Sequence, residues 1–177
     1  MAHKFSTSYI EDSLSLFRYY KKLGEGAMEQ VGDEQLFAAL DPEMNSIAIM
    51  VKHIAGNMRS RWTDFLTSDG EKPDRNRDGE FEPHGPSTRE QLMKMWDEGF
   101  GVLFAAVEAL TPDDLEKTIT IRNQPMTVVV ALDRSVTHLA YHVGQIVFLA
   151  RQFAFASGHW TSLTIPKGKS AGLNKRM

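Results

Sequence analysis

Apolar residues recur at three- and four-residue steps in four stretches of this chain, separated by segments rich in glycine, proline and charge. That period is the signature of an amphipathic helix. The first stretch runs from about Ser6 to Met28, with Ile10, Leu14 and Phe17 on one line and Leu16, Tyr20 and Leu23 on the next. Gly24, Gly26 and Gly32 weaken its far end. The second starts at Asn45 or Ser46, either of which can accept a bond from free backbone amides. It carries Ile47, Met50, Ile54, Met58, Trp62 and Phe65 on one face and is expected to stop near Ser68-Asp69-Gly70. The third opens with Ser87-Thr88-Arg89-Glu90, which fits a capping box between Ser87 and Glu90, and continues through Leu92, Met95, Trp96, Leu103 and Val107. The fourth spans about Thr127 to Ala156, with a buried stripe of Val128, Leu132, Leu139, Ile146, Leu149 and Phe153 and Gly158 as its stop.

The intervening segments carry little strand signal. Gly70 to Pro86 reads as a polar loop, of a length that is often functional. Thr111-Pro112-Asp113-Asp114 can start a short turn with Pro112 in first helical position. Lys117 to Ile121 alternates as a short strand, and Asn123-Gln124-Pro125 breaks it, so a small hairpin is expected before the last helix. Together these elements predict an all-α, single-domain four-helix bundle over residues 1–177, with no internal repeat.

Composition narrows the function. Hydrophobic residues at 42% and charged residues at 24% are the balance of a globular chain. A net charge of -3 provides no overall positive field to attract nucleic acid or anionic lipid. Lys167, Lys169, Lys175 and Arg176 read as a solvated basic end. The absence of cysteine excludes disulfides, thiolate metal sites and cysteine nucleophiles, so any thiol chemistry must use a thiol that arrives as substrate. No apolar run is long enough to cross a bilayer, Met1 to Ser8 lacks an apolar signal core, and the expected compartment is the cytoplasm.

The candidate chemistry lies in histidines. His138 and His142 are four residues apart in the last helix, so both rings leave one face and can reach a single ion at about 2.0–2.1 Å. Ser135 and Gln145 continue that face beside the apolar stripe. Such a pair alone is more often two unrelated histidines, and Leu139 stands where a metalloprotease helix needs glutamate. His53 is the third candidate, mid-helix and followed by Gly56, whose use in a helix points to close approach by a neighbour, and by Asn57, one turn on and facing the same cavity. His3, His84 and His159 read as surface residues. Arg134, one turn before His138, is placed to orient an anionic substrate but reads better as an exposed arginine in a surface pair, and Tyr141 reads better as a packing residue; neither is taken as catalytic.

Val51-Lys52-His53-Ile54-Ala55-Gly56-Asn57 and Thr137-His138-Leu139-Ala140-Tyr141-His142-Val143-Gly144-Gln145 resemble the histidine segments of the DinB-like superfamily, also called YfiT-like metal-dependent hydrolases. Arg61-Trp62-Thr63-Asp64-Phe65-Leu66, Asn76-Arg77-Asp78-Gly79-Glu80-Phe81 and Ser162-Leu163-Thr164-Ile165-Pro166-Lys167-Gly168 resemble a bacterial branch within it. The resemblance implies an up-down-down-up four-helix bundle, often a homodimer. It also implies a three-histidine site for Zn2+, Ni2+ or a similar ion, with His53, His138 and His142 in those roles. Relatives include transferases and an isomerase that use thiols such as bacillithiol and mycothiol.

An ion held by three neutral imidazoles keeps an open position, the mark of a catalytic rather than a structural site. Thiol transfer to an electrophile and metal-assisted hydrolysis both fit, as does a non-enzymatic metal-binding dimer. Hydrolysis normally needs a general base. No carboxylate is turn-spaced beside the histidine pair, although Asp78 and Glu80 in the long loop could fold over it. The reading therefore leans to thiol transfer, with a small thiol and an electrophile as partners.

Overall fold

The computed structural model describes residues 5–156 and 158–172. Its elements, in chain order, are helices α1 (Phe5–Met28), α2 (Asp33–Phe37), α3 (Ile47–Trp62) and α4 (Arg89–Glu108), strands β1 (Thr118–Ile121) and β2 (Gln124–Thr127), and helix α5 (Val128–Ala156). Short 3-10 turns occupy Asp78–Phe81, Pro112–Asp114 and Ser170–Gly172. The described chain is thus mostly helical, with five helices and one two-stranded sheet. The expected all-α class needs the addition of α2, which the periodicity did not reveal because five residues make under two turns and bury only Leu36.

The four long helices form a closed ring of contacts: α3 packs on α4 and α5, and α1 packs on α5 and α4. Their stripes meet in one core, in which Phe17, Ile54, Trp96, Phe100, Leu132 and Ile146 are fully buried. Helices α3 and α4 approach closely at Gly99, where a Cβ would stand 2.9 Å from the Ala55 Cα.

The helix ends follow local chemistry. Ser46 Oγ accepts from the Ile49 amide at 3.2 Å and starts α3. The cap of α4 lies one residue beyond the expected box: Thr88 Oγ1 accepts from the Gln91 amide at 3.2 Å, and Gln91 Oε1 reaches back to the Ser87 amide at 2.9 Å. Helix α3 stops at Trp62, earlier than its apolar period suggests. Asp64 adopts a left-handed φ of 46°, and its carbonyl collects the Thr67 and Ser68 amides at 3.0 Å each. Phe65 remains buried outside the helix, edge-on to Trp62 with ring centres 4.9 Å apart.

The hairpin is present, with its turn one residue earlier than expected. Arg122 (φ 56°) and Asn123 (φ 58°) form the two-residue turn, while Gln124 and Pro125 belong to β2. Two left-handed residues match the twist of the flanking strands. Asp69 offsets their strain: its carboxylate accepts the Arg122 and Asn123 amides, both at 2.8 Å, and the Glu71 amide at 2.7 Å. The Gly70 amide also donates to the Thr120 carbonyl at 2.8 Å. The long loop after α3 is therefore tied to the hairpin at one end. At the other, Lys52 Nζ donates to the Glu82 and His84 carbonyls at 2.5 Å each. These ties fix the 3-10 turn Asp78–Phe81 against α3.

Candidate metal centre

The site lies where α3 meets α5. His53 leaves α3 at 4% exposure. His138 and His142 leave one face of α5, their ring centres 4.6 Å apart. His53 Nε2 is 3.0 Å from His138 Nε2, and one ring nitrogen from each of the three histidines lies within 4.8 Å of the others. Two imidazoles binding one ion at about 2.0–2.1 Å in tetrahedral geometry place their nitrogens about 3.3 Å apart. The His53–His138 spacing of 3.0 Å is close to that value. The three sequence-derived candidates therefore converge into a group that could hold a metal ion.

The surroundings orient the rings. His53 Nδ1 donates to Glu80 Oε2 at 2.9 Å, which leaves Nε2 facing His138. His142 Nδ1 donates to Gln145 Oε1 at 2.8 Å, which leaves its Nε2 as the free lone pair. A carboxylate or amide on the far nitrogen is the usual way in which a metal-binding histidine is held in one tautomer. Glu80 is itself gripped by the Arg75 fork, Nε to Oε1 at 2.8 Å and Nη2 to Oε2 at 2.9 Å. Phe81 lies against the His53 ring, with centres 4.8 Å apart.

The electrostatics keep the cluster ready for a cation. Burial, then the His142 and His53 charges, then Arg75 and Arg61, push the His138 pKa down to about 3. Burial lowers His142 as well; the Gln145 hydrogen bond opposes this, and the His53 charge adds a smaller lowering. Both rings are neutral at pH 7, the form that binds a metal. Burial pushes the Glu80 carboxyl up, but hydrogen bonds from His53 and Arg75 and their charges bring it below its ordinary value. It is an ionised acceptor.

Glu80 thus folds over the site as one of the two loop carboxylates considered from the sequence, while Asp78 points outward with its side chain 99% exposed. Gly56 is explained by the same contact: a Cβ there would lie 2.2 Å from Glu80 Oε1. Arg75 was missed, because its role depends on a loop path that has no periodicity. His84 and His159 are exposed and outside the cluster, and His3 lies outside the described residues. Tyr141 is 65% exposed, in line with its omission.

A cavity of about 220 Å³ opens beside the cluster, lined by His53, Asn57, Ser135 and His138 together with arginines and apolar side chains. Trp62 Nε1 donates to Ser135 Oγ at 3.2 Å in its wall. Among the described residues, no helix is long and apolar enough to cross a membrane. No curated protein matches the chain. The family model described as Protein of unknown function (DUF1572) matches residues 4–169, nearly the whole chain, and the chain belongs to that family.

Proposed function

We propose that this protein is a metal-dependent enzyme of the DinB-like type, in which His53, His138 and His142 hold one divalent ion, Zn2+ or Ni2+, and a low-molecular-weight thiol is transferred to an electrophile. The observation that carries the reading is the convergence of three histidine nitrogens within 4.8 Å, with two of the rings fixed by Glu80 and Gln145. When bound, the ion supplies a positive centre with an open position, at which a thiol is favoured as its nucleophilic anion. In the transfer, an S–C bond forms, the bond from that carbon to the leaving group breaks, the leaving group takes the electron pair and the thiol proton passes to solvent.

The chain's own residues favour this over hydrolysis. Glu80 is the carboxylate beside the histidines, and both of its oxygens are occupied by Arg75 and His53. It orients His53 and is not free to take a proton from water. The long loop, pinned to α3 and the hairpin, shapes the neighbouring cavity. Assembly as a homodimer, a cytoplasmic location and an up-down-down-up run of the long helices belong to the same proposal. Phe81 and Phe153 are half-buried, whereas Met44 and Phe155 are exposed. Tyr141, Phe148 and Phe155 stand seven residues apart on α5 and are all exposed, a stripe that a second copy would cover.

The test begins with metal analysis of untagged protein, expected to give about one divalent ion per chain. The loaded protein is then assayed with bacillithiol, mycothiol, glutathione and cysteine against alkylating electrophiles. Activity should disappear on chelation and in His53→Ala, His138→Ala and His142→Ala, and return with added ion in the parent chain. If no thiol reacts faster than its uncatalysed control while an ester or amide is cleaved in a metal-dependent way, hydrolysis replaces transfer. If neither reaction occurs with the ion bound, a binding role replaces both. Light scattering should give twice the 19.9 kDa chain mass, and a monomer at all concentrations rejects the dimer.

A further inference from the structure

The cavity beside the histidines has an unusual lining. Five guanidinium groups, Arg61, Arg75, Arg77, Arg122 and Arg134, contribute to it and no carboxylate does. Some of that charge is neutralised from behind. Glu71 is shared by Arg61 at 2.7 Å, Arg122 at 3.0 Å and Arg75 at 3.7 Å, and Glu80 takes the Arg75 fork. Among the described residues, two of these arginines have no buried counter-charge. Arg77 pairs with Asp78 at 3.8 Å, with the carboxylate fully in water, where such pairs contribute little, and its guanidinium lies over the Phe81 ring, 5.1 Å from the ring centre. Arg134 has Met126 Sδ at 3.6 Å and no ion pair. Positive charge therefore exceeds negative around a small cleft that His53 and His138 also line.

We propose that this cavity binds the oxyanionic head, a carboxylate or phosphate, of a small substrate whose apolar body rests on the remaining wall. The inference rests on the reading of the histidine cluster as the reacting centre. Guanidinium forks match both oxyanions in geometry, and Arg134 and Arg77 have donors to give. The crowding is visible in Arg61: burial pushes its pKa down, Glu71 opposes this, and the charges of Arg75 and Arg122 push it down further. An anion among them relieves that repulsion. Trp62, Phe65, Ile119 and Ile121 provide the apolar wall. The cavity has a volume of about 220 Å³, a size suited to a small molecule. Because Arg134 lies one turn before His138 on α5, a head group held there keeps the substrate's body within reach of the histidines.

The experiment uses the full-length chain, both metal-loaded and chelated. Benzoate, its neutral amide benzamide and inorganic phosphate are titrated by calorimetry and by NMR. The chelated arm matters because an anion can also ligate an ion directly. Benzoate and phosphate are expected to compete for one site in both forms, benzamide is expected not to compete, and the tighter of the two anions identifies the head group. Arg134→Gln should weaken both anions about tenfold, the loss of one charge-assisted contact, and Arg77→Gln combined with it should weaken them further. Arg151→Gln, on an exposed part of α5, should leave binding unchanged. Benzamide competing as well as benzoate, or Arg134→Gln binding both anions as the parent does, overturns the proposal. A turnover arm separates it from thiol transfer itself. Rate enhancement over the uncatalysed reaction is compared for iodoacetate and iodoacetamide. Anion binding without any turnover sinks only the transfer reading. Equal enhancement of the two reagents, without anion binding, sinks only the oxyanion pocket.

Discussion

A Cβ at Gly56 would lie 2.2 Å from Glu80 Oε1 and 2.8 Å from its carboxyl carbon, so the glycine is what lets the carboxylate reach His53. Alanine in a helix interior is worth about 1 kcal/mol over glycine, and Gly56→Ala would stabilise α3 if nothing else changed. The carboxylate must instead move away from His53 Nδ1 and the Arg75 fork. The variant is therefore expected to melt no higher than the parent while its metal affinity falls about ten- to a hundredfold, the usual effect of losing an outer hydrogen-bond partner. Calorimetric metal titration checks this, and unchanged affinity would show that Glu80 does not tune the site. Glu80→Gln separates charge from shape. The amide oxygen can still accept from His53, but the Arg75 side chain, 5% exposed, loses its close counter-charge. Breaking a buried pair costs about 3–5 kcal/mol, and with Glu71 still 3.7 Å from Arg75 the lower end, about 3 kcal/mol, is expected in denaturant melts.

At the scale of elements, the hairpin and the long loop depend on each other through Asp69. Its carboxylate is held at a pKa of about 2, first by the Glu71 amide, against burial, which raises it, and then by the Asn123 and Arg122 amides. A depressed folded pKa stabilises the charged state. The contribution is complete above the unfolded value of about 3.9, and is lost as pH falls through that value toward about 2. Asp69→Asn should cost about 1 kcal/mol at pH 7, below the usual range for hydrogen bonds to a charge because the site is partly exposed. The gap between parent and variant in urea melts should stay constant above about pH 5 and close below about pH 4. A gap that widens in acid would refute the assignment. The long helices were legible from sequence because each buries a continuous stripe over many turns. The hairpin was legible through its alternation, but its turn was shifted, since Arg122-Asn123 is not an ordinary left-handed pair and owes its shape to Asp69, 53 residues away from Arg122 in the chain. The three histidines were legible from helical spacing and resemblance. Arg75 and the position of Glu80 were not, because a loop's path is decided by contacts such as Ser60 Oγ to the Gly70 carbonyl at 2.8 Å, which no local pattern encodes.

For the molecule as a whole, the site joins two helices that the packing ties only lightly. Helix α3 packs chiefly on α4, and α1 chiefly on α5; the seam between α3 and α5 is lighter than either of these, and it is where His53 meets His138. An ion held by all three histidines would fasten one helix pair to the other. The unfolded chain keeps only the His138/His142 pair close in sequence, so the ion's affinity for the folded state is much the greater. By mass action, free ion at a hundred times its dissociation constant stabilises the folded state by about 2.7 kcal/mol. For a chain of this length, each kcal/mol moves Tm by about 2–4 °C, so an upward shift of about 5–10 °C is expected on loading the chelated protein with Zn2+ or Ni2+. His53→Ala should abolish nearly all of the shift while leaving His138 and His142 able to bind the ion weakly in both states. Scanning calorimetry across a series of ion concentrations makes the check quantitative: Tm should keep rising with the logarithm of free ion above saturation in the parent chain and stay flat in the variant. A flat response in the parent as well would mean that the three histidines do not act as one site, whatever their spacing.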